Sequence, residues 1–285
     1  MNSEEKIYFK KSESFYIREG WIEKAINIVA KRDDVFSKNN GVQLLGIGSN
    51  MVKGLKYWLS ASSIIETNAS RSYLTEFGSM LLKYDKYLED TFSWVLIHYF
   101  LSTNYSKCPV FNIFFNSGLK EFTKESLSKF VIDFLHSKNY NNFLNDYVYD
   151  DVGIFVKSYV DEEVINNPEE NNHCPLADLS LLKEDNKKYK RNSPKYSSTS
   201  PLIIYYSLTK CYENNNEFNI DDLFEKENNP LKIFNLDKTT FFQYIDDCAK
   251  RGLLKINKTA DLNTIYLIKR LTLTQLFEKY FGGKK

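Results

Sequence analysis

The stretch "LLGIGSNMVKGLKYWLSASSIIE", from Leu44 to Glu66, constrains the fold most. Two glycines flank Ile47 and separate two apolar segments. Such a bend either cradles a phosphate or launches a helix. The phosphate alternative fails on spacing. A Walker loop needs GxxxxGK[ST], but after Gly48 the chain reads "SNMVKGL", with the lysine one place early and no Ser or Thr behind it. A dinucleotide turn needs GxGxxG after a buried strand. Met51 stands where the third glycine belongs, and "NNGVQLL" is a poor strand. No nucleotide motif is assigned.

The helix alternative fits. "GVQLLGI" reads as a short helix and "GIGS" as a turn, with Ser49 or Asn50 as N-cap. A second helix is expected from Met51 to about Ser62. Its apolar residues Met51, Val52, Leu55, Trp58 and Leu59 share one side. Asn50, Lys53, Lys56, Tyr57 and Ser60 share the other, which carries two cations and no acid. That face suits a DNA major groove, with lysines on phosphates and Asn50 on a base edge. "SIIE" then reads as a strand, "TNASRS" as a polar tip with Arg71, and "YLTEFGSMLL" as a return strand entering a helix. Helix, turn, helix and hairpin make a winged-helix pattern, with Arg71 reaching the backbone or minor groove. The DNA-binding candidates are Ser49, Asn50, Lys53, Lys56, Tyr57 and Arg71. The alternative is a winged helix that contacts only proteins, its charges merely solvated.

The expected fold is mainly α with small β-hairpin wings. Residues 1–83 form an N-terminal winged-helix domain, 84–182 a helical middle domain, 183–199 a basic polar linker and 200–285 a second winged-helix-like unit. In the middle, "TFSWVLIHYFLS" is apolar nearly all round and reads as a buried helix. "TKESLSKFVIDFLHS" is amphipathic, with Thr123 and Ser126 as its cap. "YVDEEVINNPEENNHCP" reads as an acidic loop. "KEDNKKYKRNSPKYSSTSP" looks like a linker whose Lys187, Lys188, Lys190 and Arg191 are solvated by default. In the last region, "SPLIIYYSLTKCY", "NIDDLFE" and an Asp237-capped "KTTFFQYIDDCAKRGLLKI" are expected helices, with "NKTADLNTIYL" as the wing. The outer face of the third helix carries Lys238, Gln243, Asp247 and Lys250, with Asp246 beside it. Its carboxylates repel phosphate, so this unit reads as a weaker DNA binder or a protein-docking module.

Composition narrows the class. The chain has 285 residues, 42% hydrophobic, enough for two or three small domains with cores. The net charge of +1 neither requires nor excludes nucleic acid, because a local basic face decides binding. Cys108, Cys174, Cys211 and Cys248 form no CxxC pair and there are three histidines, so no zinc site is expected. "MNSEEKIYFKK" has no apolar signal core and no apolar run reaches spanning length, so a cytoplasmic protein without membrane contact is expected.

Several motifs occur in a fixed order: "ESFYIREGW" (13–21), "LGIGSNMVKGLKYW" (45–58), "LTEFG" (74–78), "YLEDTFSW" (87–94), "FNIFFN" (111–116) and "CPLADLSLL" (174–182). Over roughly residues 8–182 the chain resembles a bacterial domain-of-unknown-function family, the SspB-type proteins, linked to single-stranded DNA phosphorothioation. The resemblance implies a role in sulfur modification of DNA in defence against phage. The implied partners are a cysteine desulfurase, an ATPase and an ATP-pyrophosphatase-like protein, and the implied activity is DNA nicking. The family opens on a Gly-His-Glu-Thr-Phe type motif. Here Lys11-Ser12-Glu13-Ser14-Phe15 keeps the glutamate and phenylalanine but not the histidine, which puts any chemistry of that histidine in doubt.

Phosphodiester hydrolysis usually needs carboxylates that gather Mg²⁺ or Mn²⁺. No nuclease signature is present and no metal ligands are identified. The catalytic candidates are Glu13, Glu89, Asp90 and Asp150, with Asp146 and Asp151 also considered. Each has a structural alternative: Asp90 as a helix N-cap with Glu89 beside it, Glu13 in an ion pair with Arg18, and Asp150 and Asp151 in a loop-like "VYDDVG". His98 reads as a satisfied core residue, His173 and Cys174 as a loop, and Trp21, Trp58 and Trp94 as core. The rival to a DNA-binding, nicking protein is a non-enzymatic winged-helix adaptor or transcriptional regulator.

Overall fold

A computed structural model of the chain describes residues 6–37, 40–160, 173–259 and 262–283. Among them the fold is mainly helical, with three small antiparallel sheets. The chain divides into two compact units, residues 1–192 and 193–285. The expected boundary near residue 83 does not appear as a division between units. Most of the acidic stretch 159–175 lies outside the described residues.

The first unit begins with an extended N-terminal segment and α1 (Trp21–Val29), whose apolar side is buried. Then come α2 (Asn40–Leu45), α3 (Ser49–Ala61) and a two-stranded sheet of β1 (Ile65–Asn68) and β2 (Arg71–Leu74). Gly46 ends α2 at φ +67°, a backbone conformation that glycine adopts without steric penalty, and its amide bonds the Val42 carbonyl. The "GIG" segment is therefore the bend between two helices. The N-cap of α3 is Gly48, with no side-chain cap, and Ser49 and Asn50 lie inside the first turn. This corrects the expected cap by one or two residues. Thr75 then caps α4 (Glu76–Tyr84) by accepting from the Gly78 amide.

The helical core follows. The α5 helix (Thr91–Thr103) is capped by Asp90, which accepts from the Phe92 amide, and buries residues all round its axis. Leu96, Ile97 and Leu101 are fully buried, each worth roughly 1.5–3 kcal/mol of apolar transfer. It packs with α6 (Pro109–Asn116), α7 (Lys124–Ser137) and α8 (Asn145–Tyr159) around Phe111, Phe114, Phe115 and Phe155. The capping box of α7 is Thr123 with Ser126, as its sequence suggests. Asp150 and Asp151 lie within α8, not in a loop. The helix passes through Gly153, where an added Cβ would meet nothing within 4 Å.

The "KEDNKKYKR" stretch is a second correction. Residues 183–191 are not linker: β4 (Leu182–Asp185) and β5 (Lys188–Arg191) form a hairpin that pairs with β3 (Glu121–Phe122) in the order β3-β5-β4. Tyr189 is buried against Phe122. Arg191 enters the core, where its guanidinium donates to the carbonyls of Phe114, Ser117 and Leu119 and lies 4.3 Å from the Phe114 ring centroid. Burial lowers it to about 10, and the carbonyls at the end of α6 compensate its lost hydration.

In the second unit, α9 (Pro201–Cys211) is buried on most sides. After it come β6 (Glu217–Asn219), α10 (Ile220–Glu225), α11 (Pro230–Ile233) and α12 (Lys238–Lys250). A hairpin of β7 (Leu254–Thr259) and β8 (Leu262–Leu267) joins β6 in the order β6-β8-β7, and α13 (Leu273–Gly282) follows. The expected hairpin between 257 and 267 is present, with its tip outside the described residues.

Candidate nucleic-acid interface

Four contacts fix α3. The N-terminal segment runs behind it so closely that a Cβ on Gly54 would stand 2.6 Å from the Ser12 carbonyl oxygen. The Trp58 indole N–H donates to the Phe15 carbonyl at 2.8 Å. At the C-terminal end, Asn104 donates to the Ala61 carbonyl at 3.0 Å and Lys107 to the Ser60 carbonyl at 3.3 Å. Buried Leu55, Trp58 and Leu59 hold the inner side. The outer side is therefore presented by a rigid element.

Ser49, Asn50 and Lys53 are exposed, and Lys53 donates to the Asn50 side chain at 3.3 Å. Lys56 is half-buried, 6.0 Å from the Phe36 ring centroid. Tyr57 is different: its hydroxyl points inward, donating to the Lys107 carbonyl at 2.5 Å and touching Cys108 Sγ at 3.5 Å. Burial raises the Tyr57 phenol well above its ordinary value and pushes the Cys108 thiol up to about 12. Tyr57 is thus a packing residue rather than a phosphate contact, and Cys108 is a protonated core thiol. Arg71 opens β2 and pairs with Asp33 at 3.5 Å, while Tyr73 also donates to Asp33 at 3.1 Å. The sequence did not anticipate this tether, because Asp33 and Arg71 meet only through folding.

The candidate catalytic carboxylates are spread over the N-terminal segment, the start of α5 and α8. Asp90 caps α5. Glu89 is exposed on the rim of a cavity of about 480 Å³ that Glu19, Glu23, Tyr87, Trp94 and Asp178 also line. Glu13 occupies a turn at φ +52°, and Arg18 lies over Phe15 and Trp21 instead of pairing with it. Asp150 pairs with Lys10 at 2.8 Å, and Asp151 accepts from the Lys10 amide at 3.0 Å. Burial raises Asp151 to about 7. Asp146 is exposed at the start of α8. Among the described residues, no three His, Cys, Asp or Glu side chains gather in a way that would hold a metal ion.

Other singled-out residues have structural work. His98 Nδ1 lies 2.6 Å from the Tyr159 hydroxyl and 3.2 Å from that of Ser102. His173 pairs with Asp178 at 3.1 Å and Cys174 is buried. Trp21, Trp58 and Trp94 are core. Ser12, at the position where the family pattern has histidine, is buried with no hydrogen-bond partner for its hydroxyl among the described residues. Asp85, which sequence reasoning passed over, accepts from the amides of Glu89 and Asp90 and from Ser93.

The family described as "Protein of unknown function (DUF4007)" matches over residues 9–281. The chain belongs to the DUF4007 family. No curated protein matches it. Among solved structures, this DUF4007 chain is similar to a magnesium ion-bound SspB crystal structure, with a TM-score of 0.84, 20% identity, and coverage of 96% of this chain and 88% of that one. A second SspB crystal structure gives a TM-score of 0.81 at 21% identity, covering 98% and 87%. The family resemblance seen in the motifs holds, and the shared fold extends beyond residue 182 into the second unit. Among the described residues no helix of this DUF4007 protein is long and apolar enough to cross a membrane.

Proposed function

We propose that this protein is a DNA-binding component of a bacterial DNA phosphorothioation defence system, working in the cytoplasm beside the sulfur-modification proteins. One observation carries the DNA contact: the outer side of α3 shows Ser49, Asn50 and Lys53 to solvent, and α3 contains no carboxylate. The elements from α2 to β2 follow the order of a winged helix, with α3 as the helix that enters the groove. Lys53 and Lys56 meet phosphates, Asn50 reads a base edge, and Arg71 reaches the backbone once its tie to Asp33 exchanges. DUF4007 membership and the fold shared with SspB support the system assignment. The proposal stops at DNA engagement; Asp90 caps α5 and Asp150 pairs with Lys10.

The test is a salt titration of binding to a fluorescent duplex and to single strands. Each phosphate contact removed flattens the log–log slope by about one, so Lys53→Ala with Lys56→Ala flattens it by about two. An unchanged slope and affinity in that double variant would overturn the assignment of α3. Supercoiled plasmid incubated with Mg²⁺, Mn²⁺ or EDTA reads strand cleavage in the same preparation.

A further inference from the structure

The start of α8 carries an unusual surface. Leu144, Tyr147 and Tyr149 are exposed large apolar residues, at 58%, 36% and 46%. Val148 and Val152 point into the core, so the opposite side faces solvent. At about 100° per residue, Asp146 and Asp150 occupy the middle of that outer side, with Tyr149 on one flank and Tyr147 on the other.

This face consists of two carboxylate–tyrosine pairs, each three residues apart and so adjacent on the helix surface. The pair Tyr147–Asp150 already holds a lysine. Lys10 Nζ lies 2.8 Å from the Asp150 carboxylate and 5.0 Å from the Tyr147 ring centroid. An ammonium is held there by charge and by the face of an aromatic ring together. The pair Asp146–Tyr149 has the same two groups three residues apart in the reverse order, and both are exposed. Lys157, two turns on, ends the acidic character of the face. Tyrosine is enriched at protein–protein contacts, whose rim is polar. Its sign is wrong for DNA, whose phosphates it would repel.

We propose that the first two turns of α8 form a docking surface for a partner polypeptide. The partner presents a lysine or arginine to Asp146 and Tyr149 and an apolar side chain beside Leu144. A basic partner is favoured because Lys10, a cation, already fills the neighbouring carboxylate–tyrosine pair. This reading is independent of DNA binding by α3.

The experiment uses the full chain and a fluorescein-labelled ten-residue peptide with two lysines and two leucines in a Gly-Ser background. Its counterpart has glutamates for lysines. Anisotropy is expected to show binding of the lysine peptide alone, weakened at least fivefold by Asp146→Asn and by Tyr149→Ala. Carbodiimide cross-linking is expected to place the peptide lysines on Asp146. The variants Glu125→Gln and Asp133→Asn, exposed on α7, are expected to change nothing. Both test residues are exposed, and thermal melting confirms that each variant folds. Equal binding of the glutamate peptide, no binding of either, or equal loss in the α7 controls would each overturn the proposal. So would loss of DNA binding in Asp146→Asn or Tyr149→Ala. Self-association of the chain that these variants abolish would overturn it too, making the face a contact between copies.

Discussion

The segments α2–β2 and α10–β8 lead through short helices into a thirteen-residue helix and then a hairpin, yet their long helices offer solvent different chemistry. The outer side of α3 shows Asn50 and Lys53 and no acid. On α12, Asp246 and Asp247 accompany Lys238 and Lys250, and three of these four groups have partners of their own. Lys238 Nζ lies 4.2 Å from the Phe224 ring centroid, and Asp247 accepts from Tyr196 and pairs with Lys250. The helix starts differ as well. The N-cap of α12 is Asp237, whose carboxylate accepts from the Thr240 amide at 2.8 Å and is held below its usual range by that bond. The N-cap of α3 is Gly48, which brings no anion to the positive end of the helix. An incoming phosphate therefore competes with the protein's own carboxylate at α12 and not at α3. Two helices of equal length can expose opposite chemistry, because exposed positions are free of the packing that fixes the buried ones.

The strongest way to break the contrast is to dislodge α3. Gly54→Val places side-chain atoms against the Ser12 carbonyl and is expected to cost about 1–3 kcal/mol, seen as a lower melting temperature with weaker DNA binding. Ala249→Val on α12 is expected to leave DNA binding unchanged.

Proton linkage sharpens the comparison next. Asp151, on α8 beside the N-terminal segment, rises through burial from 3.8 to about 7, so the folded state holds its proton more tightly than the unfolded chain does. Its contribution to stability is full below about pH 4 and is lost as pH rises towards 7. Asp247 moves the other way, lowered by the Tyr196 hydroxyl, so its contribution is present above 3.8 and is lost only in acid. Melting temperatures between pH 4 and 7 are therefore expected to change less with pH in Asp151→Asn than in the parent. An equal slope in both would remove Asp151 from the account.

Base reading gives a comparable signal. Asn50→Ala is expected to reduce discrimination between a preferred duplex and its variants by about 1–3 kcal/mol without altering the salt slope. Lys238→Ala on α12 is expected to alter neither quantity. The smallest effect concerns Ser12. Replacing a buried hydroxyl that has no partner removes a desolvation cost, so Ser12→Ala is expected to stabilise the fold by about 1 kcal/mol in urea titrations.

Local features were the legible ones. The α3 helix, the caps at Asp90, Thr123 and Asp237 and the buried α5 follow from periodicity and from side chains a few residues apart. The misreadings other than the α3 cap involve distance or context. The basic tract 183–191 looked like linker because its pairing with residues 121–122 crosses about seventy positions. Asp150 and Asp151 looked like loop because Gly153 follows them, although that glycine merely sits at an open helix surface. In the candidate interface, Asn50 and Lys53 were readable from the helical wheel. Tyr57 was not, because its ring lies on the border between the two sides and the Lys107 carbonyl draws its hydroxyl inward. Arg71 was placed at the hairpin tip, but Asp33 holds it from a part of the chain almost forty residues earlier.

The close approach of Ser12 to Gly54 has a consequence for how this chain can change over generations. Any descendant that acquires a side chain at position 54 must first, or simultaneously, move the backbone at residues 12–15. The opening segment and the proposed DNA-reading helix therefore cannot drift separately. A substitution that is harmless in either one alone becomes conditional on the state of the other, so the two are inherited as a single unit.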